Sequence, residues 1–358
     1  MTIIEPTFDT ERMTAFGMQL MGQYVGTLVT YMLAVGSRTG ALDALAAGPA
    51  TSEALSARAG LSERHVREWL GAMATSGIAT YDPSTREFAL PAEHAACLTG
   101  LSPANTAPMA TAVAYIGRFV PDVTRTLEEG GGIPYDRYGP EFNELQDQMN
   151  RRAYDAVLID GYLPLADGLV ERLRAGVAVA DIGCGSGHVV NLLAKAFPAS
   201  TFVGYDLSSD ALASARREAD AYGLSNAQFE QRDVADLPAD ASFDVITAFD
   251  SIHDQVQPRA VLAGIRRALR EDGTFLMVDM DASSNVEDNI GNPVAPFLYA
   301  ISLMHCLQVS LAGDGEGLGT AWGRQRALEL LDEAGFSDVQ IVDTPPEDPV
   351  NVIYVAHP

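Results

Sequence analysis

The sequence predicts an α/β fold: a seven-stranded, mostly parallel sheet with helices on both faces, preceded by an α-helical domain of winged-helix type. Three observations predict it. Short β-branched runs alternate with helical periods from residue 177 onward, and glycines occupy every second position after the first run. The N-terminal third shows capped helices followed by a two-strand turn.

Taken in order, the stretch between Arg12 and Arg38 holds 25 uncharged residues, with Gly22 and Gly26 four apart. Its length would span a bilayer, and the two glycines match a small-xxx-small packing pattern. Thr14, Gln19, Gln23, Thr27 and Thr30 interrupt it and basic flanks are missing, so it reads as a soluble helix pair buried in a homodimer rather than a membrane span. Residues 39–47 read as a helix, Thr51-Ser-Glu as a capped start of another, and Ser62 as the cap of a helix over 63–75. Residues 78–81 and 87–90, joined by Asp82-Pro83-Ser84, form the wing.

Such a module can place a helix in DNA or serve as a dimerisation unit. Residues 1–110 carry 6 Arg against 10 Asp or Glu, and Arg64 and Arg67 are offset by Glu63 and Glu68. Over the whole chain 23 basic side chains face 48 acidic ones, a net charge of -25. Nucleic acid and anionic membranes are therefore poor partners. Cys97, Cys184 and Cys306 give no disulfide framework, and the acidic N-terminus lacks a signal-peptide pattern, so a cytoplasmic location is expected. The 358 residues suffice for a winged-helix domain over 1–105, linking helices over 106–175 that help form a substrate pocket, and a core over 176–358.

In that core, Val177-Ala-Val-Ala-Asp-Ile182 is a strand that runs into Gly183-Cys-Gly-Ser-Gly187, with a helix over 188–197. The spacing is not the G-x-G-x-x-G of dinucleotide folds. A second strand over 201–205 ends in Asp206, 23 residues after Gly183, where a carboxylate can accept both ribose hydroxyls of a nucleoside. A third over 228–231 ends in Asp233-Val234. Residues 243–249 and 273–279 are strands four and five, with a helix over 258–269 between them. A helix over 324–334 and strands over 339–342 and 352–355 close the chain.

Asp181-x-Gly-x-Gly-x-Gly, followed by Asp206 and Asp233-Val234, resembles the Rossmann-like class I S-adenosylmethionine-dependent methyltransferases. The resemblance implies that Asp181, Gly183, Gly185, Gly187, Asp206, Asp233, Val234 and Phe249 form the S-adenosyl-L-methionine site, and that the last two strands make an antiparallel pair. The winged-helix arrangement resembles bacterial and plant small-molecule methyltransferases.

Chemistry is expected at the carboxyl ends of strands four and five, where the chain reads Phe249-Asp-Ser-Ile-His-Asp-Gln255. His253 suits a general base for a hydroxyl. His305 lies 52 residues further, on an apolar helical stretch over 293–310, and with His253-Asp254 it could complete a two-histidine, one-carboxylate metal site. The whole chain also resembles the metal-dependent 2-oxo acid C-methyltransferases of peptide-antibiotic biosynthesis. That resemblance implies a metal ion, iron or zinc, on His253, Asp254 and His305, with Asp250, Asp279 or Asp281 open as the third ligand. It nominates Arg137, in Ile133-Pro-Tyr-Asp-Arg-Tyr-Gly139, as the grip on a hydrophobic 2-oxo acid's carboxylate. Its reaction is methylation of C3 through an enolate stabilised by the metal, the β-proton going to Asp250 or to a metal-bound hydroxide. A metal-free O-methyltransferase using His253 is the alternative enzyme; a cofactor-sensing winged-helix transcription regulator is the alternative from another class.

Overall fold

The computed structural model describes residues 8–100, 104–237 and 240–358. Contacts divide the chain into two units after Tyr115.

In the first unit, helix α1 (Thr10–Thr39) starts at Asp9, whose side chain accepts from the Arg12 amide, and stops at Gly40 in the left-handed region. The uncharged segment is thus one continuous helix of 30 residues. Its uncharged length has no internal breaker, since Gly17, Gly22 and Gly26 are tolerated at a cost of about 1 kcal/mol each. Phe16, Met21, Tyr24 and Leu28 along it are exposed. Helices Ala41–Ala46, Ser52–Ala59 and Glu63–Thr75 follow, then the hairpin of Thr80–Asp82 and Glu87–Ala89. Leu42, Leu45, Leu55, Val66, Trp69, Leu70 and Met73 form the core of this winged helix. Thr51 caps as expected, accepting from the Ala54 amide. Ser62 does not cap with its side chain; its hydroxyl sits 2.9 Å from the His65 ring instead.

The second unit contains the sheet. Its strands are β1 (Ala178–Ile182), β2 (Thr201–Asp206), β3 (Ala227–Gln231), β4 (Phe243–Phe249), β5 (Leu269–Met280), β6 (Asp338–Asp343) and β7 (Asn351–His357). They lie in the order β3-β2-β1-β4-β5-β7-β6, parallel except for β7, which runs antiparallel to both β5 and β6. Inner strands are buried on both faces, which is why β1, β4 and β7 read as near-continuous apolar runs. One face packs on Leu193, Leu212 and Leu163, the other on Leu262, Ile265 and Leu330. Strand β5 begins earlier than the apolar pattern suggests: Leu269 pairs with Phe243, the register slips, and pairing resumes at Val245 with Thr274.

Every crossover returns β1, β2, β4 and β5 with their carboxyl ends on one edge, and the order reverses between β1 and β4. That edge is where a ligand of such a sheet binds. Helix α2 (Gly139–Val157), ending in a π-turn at Leu158–Tyr162, and the helical stretch from Ala295 to Ala312 also belong to this unit. The latter is the one helix among the described residues long and apolar enough to cross a membrane. It carries buried His305, Cys306, Gln308 and Ser310.

Candidate active site

After Ile182 the chain turns through Gly183, Gly185 and Gly187, with φ of 68°, 53° and 72°. Two of these glycines do different jobs. A Cβ on Gly187 would lie 2.4 Å from the Ala215 Cβ and 2.5 Å from the Phe229 ring, so this glycine lets helix α3 (His188–Ala196) dock closely. A Cβ on Gly185 would meet nothing within 4 Å, which leaves that side of the loop open to a ligand. The Gly185 amide donates to Asp206 Oδ2 at 2.8 Å, and the Ser208 amide to Oδ1 at 2.8 Å, so the carboxylate that ends β2 stands beside the loop. Burial raises its pKa. Asp233 is exposed and caps the turn Val234–Asp236 by accepting from the Ala235 amide at 2.9 Å, while Val234 is buried beneath it. Phe249 ends β4, buried, with its ring 5.3 Å from that of Tyr154.

Asp181 lies deeper than the other loop acids, paired across β1 and β4 with Thr247, whose hydroxyl donates to it at 2.6 Å. Burial, with the Asp206 charge adding, pushes its carboxyl up to about 7. The folded chain therefore keeps a proton that the unfolded chain loses near pH 4, and this acid destabilises the fold increasingly as pH rises from about 4 to about 7. Asp181→Asn keeps an acceptor for Thr247 and removes that penalty. The variant is expected to match the parent in thermal stability near pH 4 and to exceed it at pH 8, by up to about 4 kcal/mol; equal melting temperatures at both pH values would count against it.

At the end of β4 the backbone bends sharply. Asp250 has φ 50°, its amide donates to Val278 at 2.9 Å, and its carboxylate accepts from the Tyr154 hydroxyl at 2.9 Å. Burial, with the Asp279 charge adding, lifts its pKa to about 7, and Oδ1 is buried without a partner. The turn delivers His253, 3% exposed, against Asp279 near the end of β5: Nδ1 lies 2.7 Å from Asp279 Oδ1, which also accepts from the Met280 amide at 2.8 Å. With Nδ1–H donating, Nε2 holds the lone pair. Burial opposes the charged imidazole, but Asp279 and Asp254 outweigh it and hold its pKa well above the ordinary value. Asp254 Oδ1 is 3.3 Å from Nε2 and has no hydrogen bond.

The apolar helix after β5 opens into a π-turn at Ser302–Cys306. Such turns gather at functional sites. Here His305 is 1% exposed, its Nε2 is buried with no partner, and burial lowers its pKa against the pull of Asp254. The rings of Tyr138 and Phe142, each 4.6 Å away, and Tyr135 at 6.0 Å pack on it. Ligand atoms of His253, Asp254 and Cys306 lie within 4.8 Å of one another. Cys306 is the member that sequence reasoning missed; its neighbour His305 was the only signal for it. The Cys306 thiol also lies 3.6 Å from the His305 ring, and burial pushes it up to about 11.

Arg137 does not join this cluster. The turn Tyr135–Tyr138 aims its tyrosines at His305, whereas the Arg137 side chain is 63% exposed and pairs with Asp122 at 3.7 Å. Four residues in a tight turn cannot all face one way, and the Tyr138 ring, fully buried, takes the inner side while Tyr135 stays exposed at the edge of His305.

A methyltransferase domain model matches residues 173–335, and a model for the Rv2258c-like winged HTH domain matches 27–100. Among curated proteins, the fatty-acid O-methyltransferase of Mycolicibacterium smegmatis is 36% identical over 105 residues, 29% of this chain and 37% of that one. An uncharacterized methyltransferase of Synechocystis is 30% identical over 171 residues, 47% of this chain and 70% of that one. The chain spans 37% to 56% of the length of the first curated relatives it matches. The solved structure of the mitomycin 7-O-methyltransferase aligns with 98% of this chain and all of its own, at a TM-score of 0.74 and 19% identity, a likeness of fold. With the glycine loop and Asp206 at the carboxyl edge of a 3-2-1-4-5-7-6 sheet, these matches agree: the chain belongs to the class I S-adenosylmethionine-dependent methyltransferases and carries a winged helix-turn-helix domain ahead of its catalytic one.

Proposed function

We propose that this enzyme transfers the sulfonium methyl group of S-adenosylmethionine to an oxygen of a small molecule, with His253 as the base. The observation that carries the reading is the buried His253–Asp279 pair at the carboxyl edge of β4 and β5. Asp279 fixes the tautomer and strengthens Nε2 as a proton acceptor; it also favours the charged ring, so the neutral form of His253 is the one that acts as base. As the substrate oxygen attacks the methyl carbon, its proton passes to Nε2, the carbon–sulfur bond breaks, and S-adenosylhomocysteine leaves. Alignment of oxygen, carbon and sulfur supplies much of the rate. The fatty-acid and mitomycin enzymes, both O-methyltransferases, support it. The rings of Tyr135, Tyr138 and Phe142 beside the cluster suit an apolar substrate body.

A specific observation favours a second reading, C3 methylation of a hydrophobic 2-oxo acid. Asp254 Oδ1 and His305 Nε2 are buried without partners beside His253 and Cys306. That donor set fits a cation such as iron or zinc, with Asp279 orienting His253 from behind; when bound, the ion would act as a Lewis acid on a keto oxygen. Arg137 would then have to leave Asp122 to reach a carboxylate. The two readings separate on metal content of the purified protein and of His305→Ala, together with a panel of phenols, carboxylic acids and 2-oxo acids followed for methylation and for deuterium loss at C3. Methylation of oxygen in metal-free protein supports the first reading; deuterium loss that requires metal overturns it in favour of the second.

The proposal includes a cytoplasmic homodimer that does not bind nucleic acid. In the helix Glu63–Thr75, Arg64 pairs with Glu68 and Arg67 with Glu63, each at 2.6 Å, which leaves little free positive charge for a phosphate backbone. The exposed apolar residues of α1, with Gly22 and Gly26 open on its surface, suit a second copy of this chain. Light scattering is expected to give twice the chain mass, and Phe16→Glu with Leu28→Glu to give the monomer; a monomeric parent would remove the dimer.

A further inference from the structure

The turn that carries His253 is tied at both ends. Strands β1 and β4 stay in register as far as Ile182 and Ala248. Beyond that pair the buried Ser251 reaches back, its hydroxyl donating to the Ile182 carbonyl at 2.7 Å. Ile182 directly precedes the glycine loop, and a Cβ on Gly183 would lie 2.7 Å from the Ser251 Cβ, so Ser251 fills the space that a side chain at 183 would need. At the other end the Gln255 carbonyl accepts at 3.0 Å from the hydroxyl of Ser310, fully buried on the apolar helix that carries His305 and Cys306. Between the two ends, Gln255 Nε2 donates back to the Ser251 carbonyl at 2.8 Å, and the Gln255 amide to the Ile252 carbonyl at 3.2 Å.

Residues 251–255 therefore form one closed turn, strapped on one side to the end of β1 and on the other to the helix, with His253 in the middle. Ile252 anchors it from beneath in the apolar layer that holds Ile182 and Ile246. The Ser310 hydroxyl in turn accepts from the Gly317 amide at 3.1 Å, and the Glu316 amide donates to the Val256 carbonyl at 3.2 Å, so the loop after the helix closes over the strap. These are neutral hydrogen bonds, each worth about 1 kcal/mol to folding. Their larger effect is on distance. A methyl donor at the glycine loop and a base at His253 must keep a fixed separation for in-line transfer, and a displacement of about 1 Å can cost about 10²-fold in rate.

We propose that Ser251 is a positioning residue: through Ile182 on one side, and through Gln255 and Ser310 on the other, it sets the distance between the methyl donor and Nε2 of His253. The inference deepens the reading of His253 as the base and rests on it. Ser251 acts through its neighbours and touches neither reactant.

The test is a double-mutant cycle on single-turnover rates, beside a calorimetric titration of S-adenosylmethionine. Ser251→Ala keeps the Cβ that faces Gly183 and removes only the donor to Ile182. In the otherwise unchanged enzyme it is expected to lower the rate about 10- to 100-fold. Cofactor affinity should change less than about threefold, and so should the residual rate of His253→Ala, because residues that act as a unit are not additive. Ser310→Ala frees the far end of the same strap, is expected to show the same non-additivity, and carries the test alone if Ser251→Ala does not fold by circular dichroism. Equal losses in the parent and in His253→Ala would assign these serines to general stability and overturn the proposal, as would an unchanged rate or a loss confined to cofactor affinity. A His253→Ala enzyme within about tenfold of the parent would remove the base and this role with it, an outcome distinct from additivity on an essential histidine.

Discussion

Replacing His253 by alanine is expected to lower kcat about 10²- to 10⁴-fold on any substrate the parent methylates, with S-adenosylmethionine affinity changed less than about threefold. The size follows from what the side chain does. His253 is the imidazole at the carboxyl edge of β4, and Asp279 holds Nδ1 so that Nε2 lies on the Asp254 side. Without it the substrate proton must leave to water or to Asp254. The affinity should hold because the cofactor is proposed to bind at the glycine loop and Asp206, of which His253 is not part. Asp279→Asn leaves the imidazole in place but removes the charge that orients it, so it should cost less than His253→Ala while acting on kcat in the same direction. Initial rates with saturating cofactor, beside a binding titration, measure both. A His253→Ala enzyme within tenfold of the parent would exclude this residue from the reaction.

The second large effect is on folding. Gly187→Ala places a methyl group 2.4 Å from Ala215 and 2.5 Å from Phe229 at a φ of 72°. The backbone contributes about 1–2 kcal/mol and the overpacking about 1–3 kcal/mol. Together these should lower the melting temperature by roughly 5–15 °C for a unit of this size. Gly185→Ala is the matched control. Its methyl group meets no protein atom within 4 Å, so it should cost stability only through φ and lose cofactor affinity instead. Thermal denaturation and cofactor titration on both variants read the contrast directly; equal melting temperatures for the two would remove the packing role given to Gly187.

Those two glycines look alike in the sequence, and the contrast between them appears only in three dimensions. The inner strands were readable because each is a bounded apolar run, and β4 matches its pattern residue for residue. The acids at the ends of β2 and β3 were readable for the same reason, as strand ends are where the chain meets the ligand edge. Side-chain partners were not. Asp279 lies 26 residues from His253 and meets it because β4 and β5 are adjacent. Cys306 reaches the cluster through a local break in helical winding, and Arg137 turns away because Tyr138 takes the inner side of a four-residue turn. Each depends on packing between distant segments, about which local periodicity carries no information.

The π-turn at Ser302–Cys306 has a consequence for chain length. A π-turn holds one residue more than the α-helix around it needs. Deleting a single residue there would let the helix close up regularly, with the segments before and after keeping their phase about the axis. What would be lost is the wide turn that carries His305 and Cys306, even with every remaining side chain unchanged. The centre is therefore tuned by a count of residues as much as by their identities.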